Sequence, residues 1–166
     1  MSSSTLPSSA WDDLARAATS LGDDAEAEIL SEFLAFPLGA DRYALPVERV
    51  REIVRLRQIT PVPRVPRKIL GIISLRGEIV QVLDLAQRLG GVPNRPTPTT
   101  RIVVLHGDEG NAAGLLVEGV ASVLRVPEDA FREAPGSDTD FVSRLCEDDG
   151  EFVSILNLER VLNLVE

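Results

Sequence analysis

The sequence predicts a mostly β protein made of two small, related barrels. Short apolar runs rich in Val, Ile and Leu alternate with Gly, Asp and Pro turn signals along most of the chain, a pattern typical of strands joined by tight turns. Residues 47–55 and 117–125 share Val, Glu, Val and Arg at equivalent places, and each copy follows a predicted hairpin. Repetition of a hairpin followed by a strand favours two duplicated barrels over one large sheet.

Residues 1–28 are predicted to form an extension to a domain that spans residues 29–166. Ser9 begins a capping-box pattern, and apolar side chains then recur at helical spacing at Trp11, Leu14, Ala18 and Leu21. An isolated helix of about 12 residues is marginally stable in water. This segment is therefore expected to be a short amphipathic helix or a partly disordered tail, which either docks on the domain or waits for a partner.

Strands and turns follow one another through the first half of the domain. Residues 48–52 are predicted to make one helical turn, and three prolines within residues 61–66 predict a stiff connector because proline excludes a central strand or helix. Arg76 and Gly77 form a tight reversal, for which glycine supplies the backbone freedom. The strands of this half are predicted at residues 32–38, 42–47, 53–56, 69–75 and 78–83.

The second half repeats this organisation and ends in a helix. Residues 84–89 are predicted to form a helical turn that Gly90 stops, and residues 147–150 an acidic turn. Strands are predicted at residues 101–105, 113–117, 120–126, 141–145 and 151–156. After Asn157, a fair N-cap, the apolar residues on one helical face are Leu158, Val161, Leu162 and Val165.

The charge distribution and the lack of long apolar runs argue against a nucleic-acid-binding protein and against a membrane protein. The net charge is −9, yet residues 33–107 contain five acids and twelve bases, while both flanks are acidic. Sixteen of the seventeen bases are Arg, which favours bidentate pairing with carboxylates. So acidic a chain with few aromatic residues is a poor candidate for binding nucleic acid. Without an export signal or an apolar run of about 20 residues, we expect a soluble cytoplasmic protein with no direct membrane insertion.

Residues with catalytic chemistry are scarce. His106 is the only histidine and stands where a strand enters a Gly-rich turn, which predicts a surface or capping role. Cys146 is the only cysteine, and the acids after it should raise its pKa. Residues 147–151 lack the ordered spacing of a Ca²⁺ loop, and no nucleotide-binding, hydrolase or zinc motif is present. We therefore predict no catalytic residue, no cofactor and no metal, and a protein that binds other proteins.

Arg76 stands at the turn of the densest apolar stretch of the chain, residues 69–85. An arginine beside an apolar run is expected to have a partner or to face something outside the fold. The internal candidates are Glu78 and Asp84, and the alternative is a contact with another molecule.

Several motifs in a fixed order resemble those of CheW, the adaptor of bacterial chemotaxis arrays. The most specific are residues 59–66, Ile-Thr-Pro-Val-Pro-Arg-Val-Pro, then Gly71, then residues 74–85, Ser-Leu-Arg-Gly-Glu-Ile-Val-Gln-Val-Leu-Asp-Leu. Residues 33–39, 47–53 and 114–124 are also similar to the family. The resemblance covers residues 29–166 and implies two SH3-like five-stranded β-barrels with short helices and a C-terminal helix.

The resemblance also implies a function without catalysis. CheW proteins couple methyl-accepting chemotaxis receptors to the regulatory domain of the histidine kinase CheA, which would bring this chain to membrane-associated receptor arrays through its partners. The residues that match family positions associated with kinase or receptor contact are Val50, Glu52, Gly71, Arg76 and Ile79. Most also have an internal explanation: core packing for Val50 and Ile79, a turn or bulge for Gly71, and a surface ion pair for Glu52.

Three positions depart from the family pattern. Ser74 replaces the usual Asn, Gln81 the usual Pro, and Ala86 the usual Arg, although Arg88 lies two positions on. The change to serine removes an amide that can both donate and accept, which predicts a changed turn or a changed partner. The alternative function is therefore a divergent CheW-like scaffold for a non-flagellar or accessory chemosensory pathway.

Overall fold

A computed structural model of the chain describes residues 29–107, 112–135 and 141–163, and the following account concerns these residues. The chain divides into two units, Met1–Leu30 and Ser31–Glu166. The predicted helix of residues 9–22 lies outside the described residues. In the second unit strands dominate and helices are short, so the predicted mostly β fold is confirmed.

The described strands form two sheets. The first has the strand order β8-β1-β2-β11-β10-β9 and the second the order β3-β6-β7-β5-β4. Each contains one parallel pair, β2 with β11 and β5 with β7. The strands are β1 (Leu30–Leu38), β2 (Asp41–Pro46), β3 (Val50–Arg55), β4 (Ile69–Leu75), β5 (Glu78–Asp84), β6 (Arg101–Leu105), β7 (Ala112–Val117), β8 (Ser122–Pro127), β9 (Arg132–Glu133), β10 (Val142–Asp148) and β11 (Glu151–Leu156).

The two sheets are copies of one arrangement, as the repeat in the sequence predicted. Strands β1, β2 and β3 recur in the same order as β6, β7 and β8, and the hairpin of β4 and β5 recurs as that of β10 and β11. In each copy a hairpin belongs to one sheet and the next strand crosses to the other sheet. The parallel pairs have equivalent registers, because Tyr43 lies opposite Ser154 and its counterpart Ala113 lies opposite Gln81.

Each sheet closes into an SH3-like barrel. The closing contact is made by the segment after the strand that crosses into the sheet, which is β3 for the second sheet and β8 for the first. Thr60 lies in the connector after β3 and pairs with Ile72 of β4 through two backbone hydrogen bonds of 2.8 and 2.9 Å. In the first sheet the short strand β9 pairs with β10 in the equivalent way. Strand β9, which was not predicted, gives the first sheet six strands. It is the counterpart of the Thr60 bridge in the five-stranded second sheet.

Three apolar clusters form the core. One lies in the first barrel around Phe33 and Ala44, and one lies in the second barrel around Val80 and Ile102. The third is shared by both sheets and both helices, and it includes Phe36, Leu45, Ile69, Leu83, Leu85, Leu115 and Leu158. One end of the β4–β5 hairpin therefore joins the two barrels, while its turn lies at the other end.

Two short helices occupy equivalent places after β5 and β11, and one arginine connects them. The side chain of Asn157 caps α2 (Leu158–Leu162), as predicted, and that of Asp84 caps α1 (Leu85–Arg88), where only a helical turn was predicted. The buried Arg88 guanidinium donates to the carbonyls of Val161, Arg160 and Asn163 at 2.8, 2.8 and 2.6 Å. A cation at these carbonyls satisfies the C-terminal end of α2. Val165 lies outside the described residues.

Several predicted boundaries shift by a few residues, and two of the shifts change a predicted turn. The helical turn expected at residues 48–52 is a 3₁₀ turn at Val47–Arg49, and β3 already begins at Val50 because this residue pairs with Leu105. The acidic turn expected at residues 147–150 is narrower, because Glu147 and Asp148 still pair within the β10–β11 hairpin. None of the helices among the described residues has the length and apolar character needed to cross a membrane.

Candidate functional site

The β4–β5 hairpin turns at Arg76 and Gly77, outside the core. Their φ angles are 52° and 82°, and positive φ at both central residues is typical of the type I′ turn, which matches the twist of a hairpin. Gly77 adopts this conformation without a Cβ, whereas a non-glycine residue there is uncommon. The Arg76 side chain reaches the surface, where 72% of it is exposed.

Four charged side chains connect this turn to β3. Arg76 donates to both carboxylate oxygens of Glu52, at 2.5 Å to Oε2 and 2.7 Å to Oε1. Arg51 contacts Glu78 at 2.7 Å and Glu52 at 3.5 Å. These four residues are termed the tip network. Because β3 and β4 stand at opposite ends of the strand order, the network links the two edges of the sheet.

Arg76 therefore pairs with Glu52, and the two internal partners considered from the sequence were wrong. Glu78 is occupied by Arg51, and Asp84 is buried and accepts from the backbone of Ala86. The hydrogen bond from Arg76 lowers the pKa of Glu52, and the same contact raises the pKa of Arg76. A bidentate pair fixes the direction of the guanidinium even though most of it is exposed.

Two isoleucines lie on the outer face beside the tip network. Ile79 is 55% exposed and Ile53 is 39% exposed, so core packing does not explain Ile79. Ser74 lies opposite Ile79 in the register and is also exposed. The change from the usual Asn to Ser therefore affects this exposed face. It does not affect either of the two central positions of the turn. Exposed large apolar side chains beside an oriented arginine form a surface suited to a protein partner.

Val50 and Gly71 contribute to the site through the fold. Val50 is half-buried and packs against the shared core cluster. Gly71 is buried with φ 148°, and a Cβ there would lie 2.1 Å from the carbonyl oxygen of Thr60. Core packing therefore explains Val50, and the requirement for glycine at a turn or bulge explains Gly71.

The first barrel carries an equivalent surface that was not predicted from the sequence. Val123 and Phe152 occupy the positions of Ile53 and Ile79 and are 48% and 56% exposed. The adjoining turn begins with Asp149, whose φ is 56°, where the tip network has an arginine. The internal repeat already pairs Ile53 with Val123, and carrying it on to the second hairpin would have found Phe152. The two tips share a backbone and differ in charge.

An interlobe groove runs beside α1, lined from both barrels. A pocket of about 530 Å³ has Tyr43, Leu89, Phe141 and Phe152 in its walls. A second pocket, of about 360 Å³, shares Tyr43 and Leu89 with it. The walls combine these aromatic and aliphatic side chains with the polar Asp41 and Ser154, so the groove suits an amphipathic segment.

The only cysteine and the only histidine of the chain occupy structural positions. Cys146 is buried and free, and burial and the nearby Asp148 raise its pKa, which keeps the thiol protonated near neutral pH. His106 is exposed, and its backbone N–H donates to the carbonyl of Arg49. Within the described residues no group of His, Cys, Asp and Glu could hold a metal ion.

Comparison with known proteins gives one consistent result. Residues 32–166 match the CheW-like domain family. The chain is 29% identical over 139 residues to a probable chemotaxis protein CheW of Rhizobium etli, which covers 81% of this chain and 89% of that protein. It is 38% identical over 104 residues to protein FrzA of Myxococcus xanthus, covering 62% and 64%. The crystal structure of the scaffolding protein TtCheW from Thermoanaerobacter tengcongensis has a TM-score of 0.75 at 30% identity, covering 81% and 94%.

Proposed function

Because the chain belongs to the CheW-like domain family, we propose that it couples methyl-accepting chemotaxis receptors to a CheA-type histidine kinase. It is a non-catalytic scaffold, so in this role it fixes the spacing and orientation of its partners. The observation that carries the proposal is the tip of the second barrel, where Ile79 is exposed beside an oriented Arg76. A signal would pass as a change in relative geometry, with no covalent step in this chain.

The tip of the second barrel is the proposed contact for the kinase regulatory domain. Ile79 would supply the apolar anchor, and an anchor of this kind dominates the affinity of an interface when surrounding groups exclude water. The Arg76–Glu52 pair would set orientation, because an already paired arginine loses little side-chain freedom on binding. Val50 and Gly71 would support the surface by fixing β3 and β4.

The interlobe groove is the proposed contact for the receptor. Its walls combine Tyr43 with Leu89 and Phe152, and an amphipathic helical hairpin presents apolar side chains at a spacing that fits such a groove. Kinase and receptor would then occupy different surfaces and could bind at the same time. Array association would bring the protein to the membrane through these partners.

The substitution Ile79→Asp tests the kinase contact. Isothermal titration against a CheA regulatory domain should show affinity at least about tenfold weaker than wild type, because the anchor is lost and a carboxylate is introduced at the interface. Binding to a receptor signalling fragment should be unchanged. Retained kinase binding by this variant would place the contact elsewhere.

The matched control is Phe152→Asp, the equivalent change in the first barrel. Because Phe152 lines the groove, this variant should weaken receptor binding and preserve kinase binding, the reverse of Ile79→Asp.

If wild-type protein bound neither partner at tens of micromolar, the coupling role would be wrong. Binding to the kinase without any receptor would support the alternative scaffold role in an accessory or non-flagellar pathway, for which the exposed Ser74 beside Ile79 is the motivating departure.

A further inference from the structure

We propose that the end of the second barrel opposite the tip is a separate docking surface for a carboxylate-rich segment of a partner protein. This surface, the basic end, consists of Arg55, Arg57, Arg67, Lys68 and Arg101. It lies outside the five positions assigned to kinase or receptor contact, and the inference goes beyond the coupling function.

The strand register brings these residues together. Arg55, the last residue of β3, lies directly opposite Arg101, the first residue of β6. Arg101 in turn lies opposite Val117, at the same end of β7 at which β5 finishes in Asp84. The backbone N–H of Asp84 donates to the carbonyl of Lys68. Arg57 follows the end of β3 by two residues, and Arg67 and Lys68 immediately precede β4. The basic residues therefore lie at one end of the barrel, and the Arg76 turn lies at the other.

These cations lack the neutralisation found elsewhere in the protein. No Asp or Glu occurs between residues 53 and 77, and in the described part of the chain Arg55, Arg57, Arg67 and Lys68 form no ion pair. Arg101 donates to the carbonyls of Pro98 and Thr100, which are neutral. By contrast, the arginines that do pair with acids are Arg42, Arg49, Arg51, Arg76, Arg125 and Arg144.

The two acids near the basic end are already engaged. Asp84 is buried and accepts hydrogen bonds from Ala86 and Asn94. Glu118 follows the β7 residue opposite Arg101, and its carboxylate accepts from the backbone N–H of Gly39 at 2.8 Å. Five cations against two occupied carboxylates leave this end strongly positive.

The duplication shows that the fold does not require this arrangement. Arg125 is the counterpart of Arg55 in the first barrel, and it forms an ion pair with Glu32 at 2.9 Å. Arg55 instead faces another arginine across the strand pair. Like charges directly opposite each other destabilise a sheet. The second barrel thus retains a repulsive contact that the first barrel avoids, as a surface held ready for an anionic partner would.

The chemistry favours a protein partner over other polyanions. Four of the five cations are arginines, whose planar forks bind carboxylates in bidentate pairs. No Phe, Tyr or Trp occurs between Tyr43 and Phe131, so the segments that form the basic end supply none of these rings for stacking nucleic-acid bases. A large anionic membrane surface would be repelled by the other acidic parts of a chain whose net charge is −9. A short acidic segment interacts mainly with the basic end, because salt screens distant charges.

The test uses a fluorescein-labelled peptide with six consecutive glutamates, and its glutamine analogue, in anisotropy titrations of the full chain. At about 20 mM NaCl the glutamate peptide should bind and its analogue should not, and about 200 mM NaCl should weaken binding at least about tenfold. The triple variant Arg55→Gln/Arg57→Gln/Arg67→Gln should bind at least about tenfold more weakly than wild type. The matched control Arg125→Gln should bind as wild type does.

Thermal melts give a second, independent readout. Arg55→Gln should raise Tm by about 1–3 °C at low salt by removing the repulsion with Arg101, and Arg125→Gln should not. The proposal is overturned if wild type does not bind the glutamate peptide, or if the triple variant binds it normally. Tighter binding of phosphatidylglycerol vesicles or single-stranded DNA than of the peptide would overturn the partner class. Arg76→Ala should leave peptide binding unchanged, so this test and that of the coupling function fail separately.

Discussion

Replacing Gly71 by alanine should disrupt the edge of the second barrel. The added Cβ would lie 2.1 Å from the Thr60 carbonyl oxygen and 2.9 Å from Ile59 Cγ2, at a φ of 148° that L residues rarely adopt. Backbone strain of this kind costs about 1–3 kcal/mol. The clash also displaces Thr60 and so threatens its two hydrogen bonds to Ile72, together worth about 1–3 kcal/mol. We therefore expect a loss of about 2–6 kcal/mol in the free energy of unfolding.

Urea denaturation of Gly71→Ala should be compared with Gly77→Ala. Gly77 also has positive φ, but a Cβ there would meet nothing within 4 Å, so its replacement should cost only about 1–2 kcal/mol of conformational strain. Amide hydrogen exchange at Thr60 and Ile72 should accelerate in the first variant alone. Equal destabilisation by both substitutions would refute the steric reasoning.

Three further predictions follow from individual contacts. Arg88→Ala should lower the free energy of unfolding in urea by about 3 kcal/mol, because three carbonyls at the end of α2 lose a buried charged donor; a loss below about 1 kcal/mol would contradict this role. The pKa of Glu52, followed by NMR, should lie below its ordinary value and rise in Arg76→Ala. The stability that this depressed pKa contributes is fully present above the unfolded pKa of about 4.3 and is lost as the pH falls through the lower folded pKa, so Arg76→Ala should flatten that part of the stability profile. Cys146 is buried with a raised pKa, so it should react with a disulfide reagent at neutral pH only when the protein unfolds, and rapid reaction of native protein would show that the site is open.

The duplication was predictable only in part, because the copies retain side-chain likeness over one strand. Val47 and Val117 begin the two segments that match in sequence. The β10–β11 hairpin repeats β4–β5 at a slightly larger offset and shares little with it beyond alternating apolar positions. The exchange of β3 and β8 between barrels could not be predicted, because a strand pattern carries no information about which sheet the strand joins.

The candidate site depended on a contact that local sequence does not contain. Glu52 and Arg76 are 24 residues apart and lie near opposite edges of the sheet, so barrel closure is what brings them together. Glu78 and Asp84, the two acids that the sequence suggests, are near Arg76 in the chain, and neither is its partner in the structure. The exposure of Ile79 did have a signal, because Gln81 is polar and lies on the same strand face two positions later.

The two hairpin turns suggest why Arg76 should be tested in binding assays as well as in stability assays. Both turns place a non-glycine residue at positive φ, 52° for Arg76 and 56° for Asp149. Aspartate tolerates this conformation well, whereas an arginine gains nothing from it locally. A departure from local preference is expected where a residue serves a site. The Glu52 carboxylate orients the guanidinium and leaves most of the side chain exposed, so a stability assay reports on the internal pair and a binding assay reports on the exposed part of the side chain.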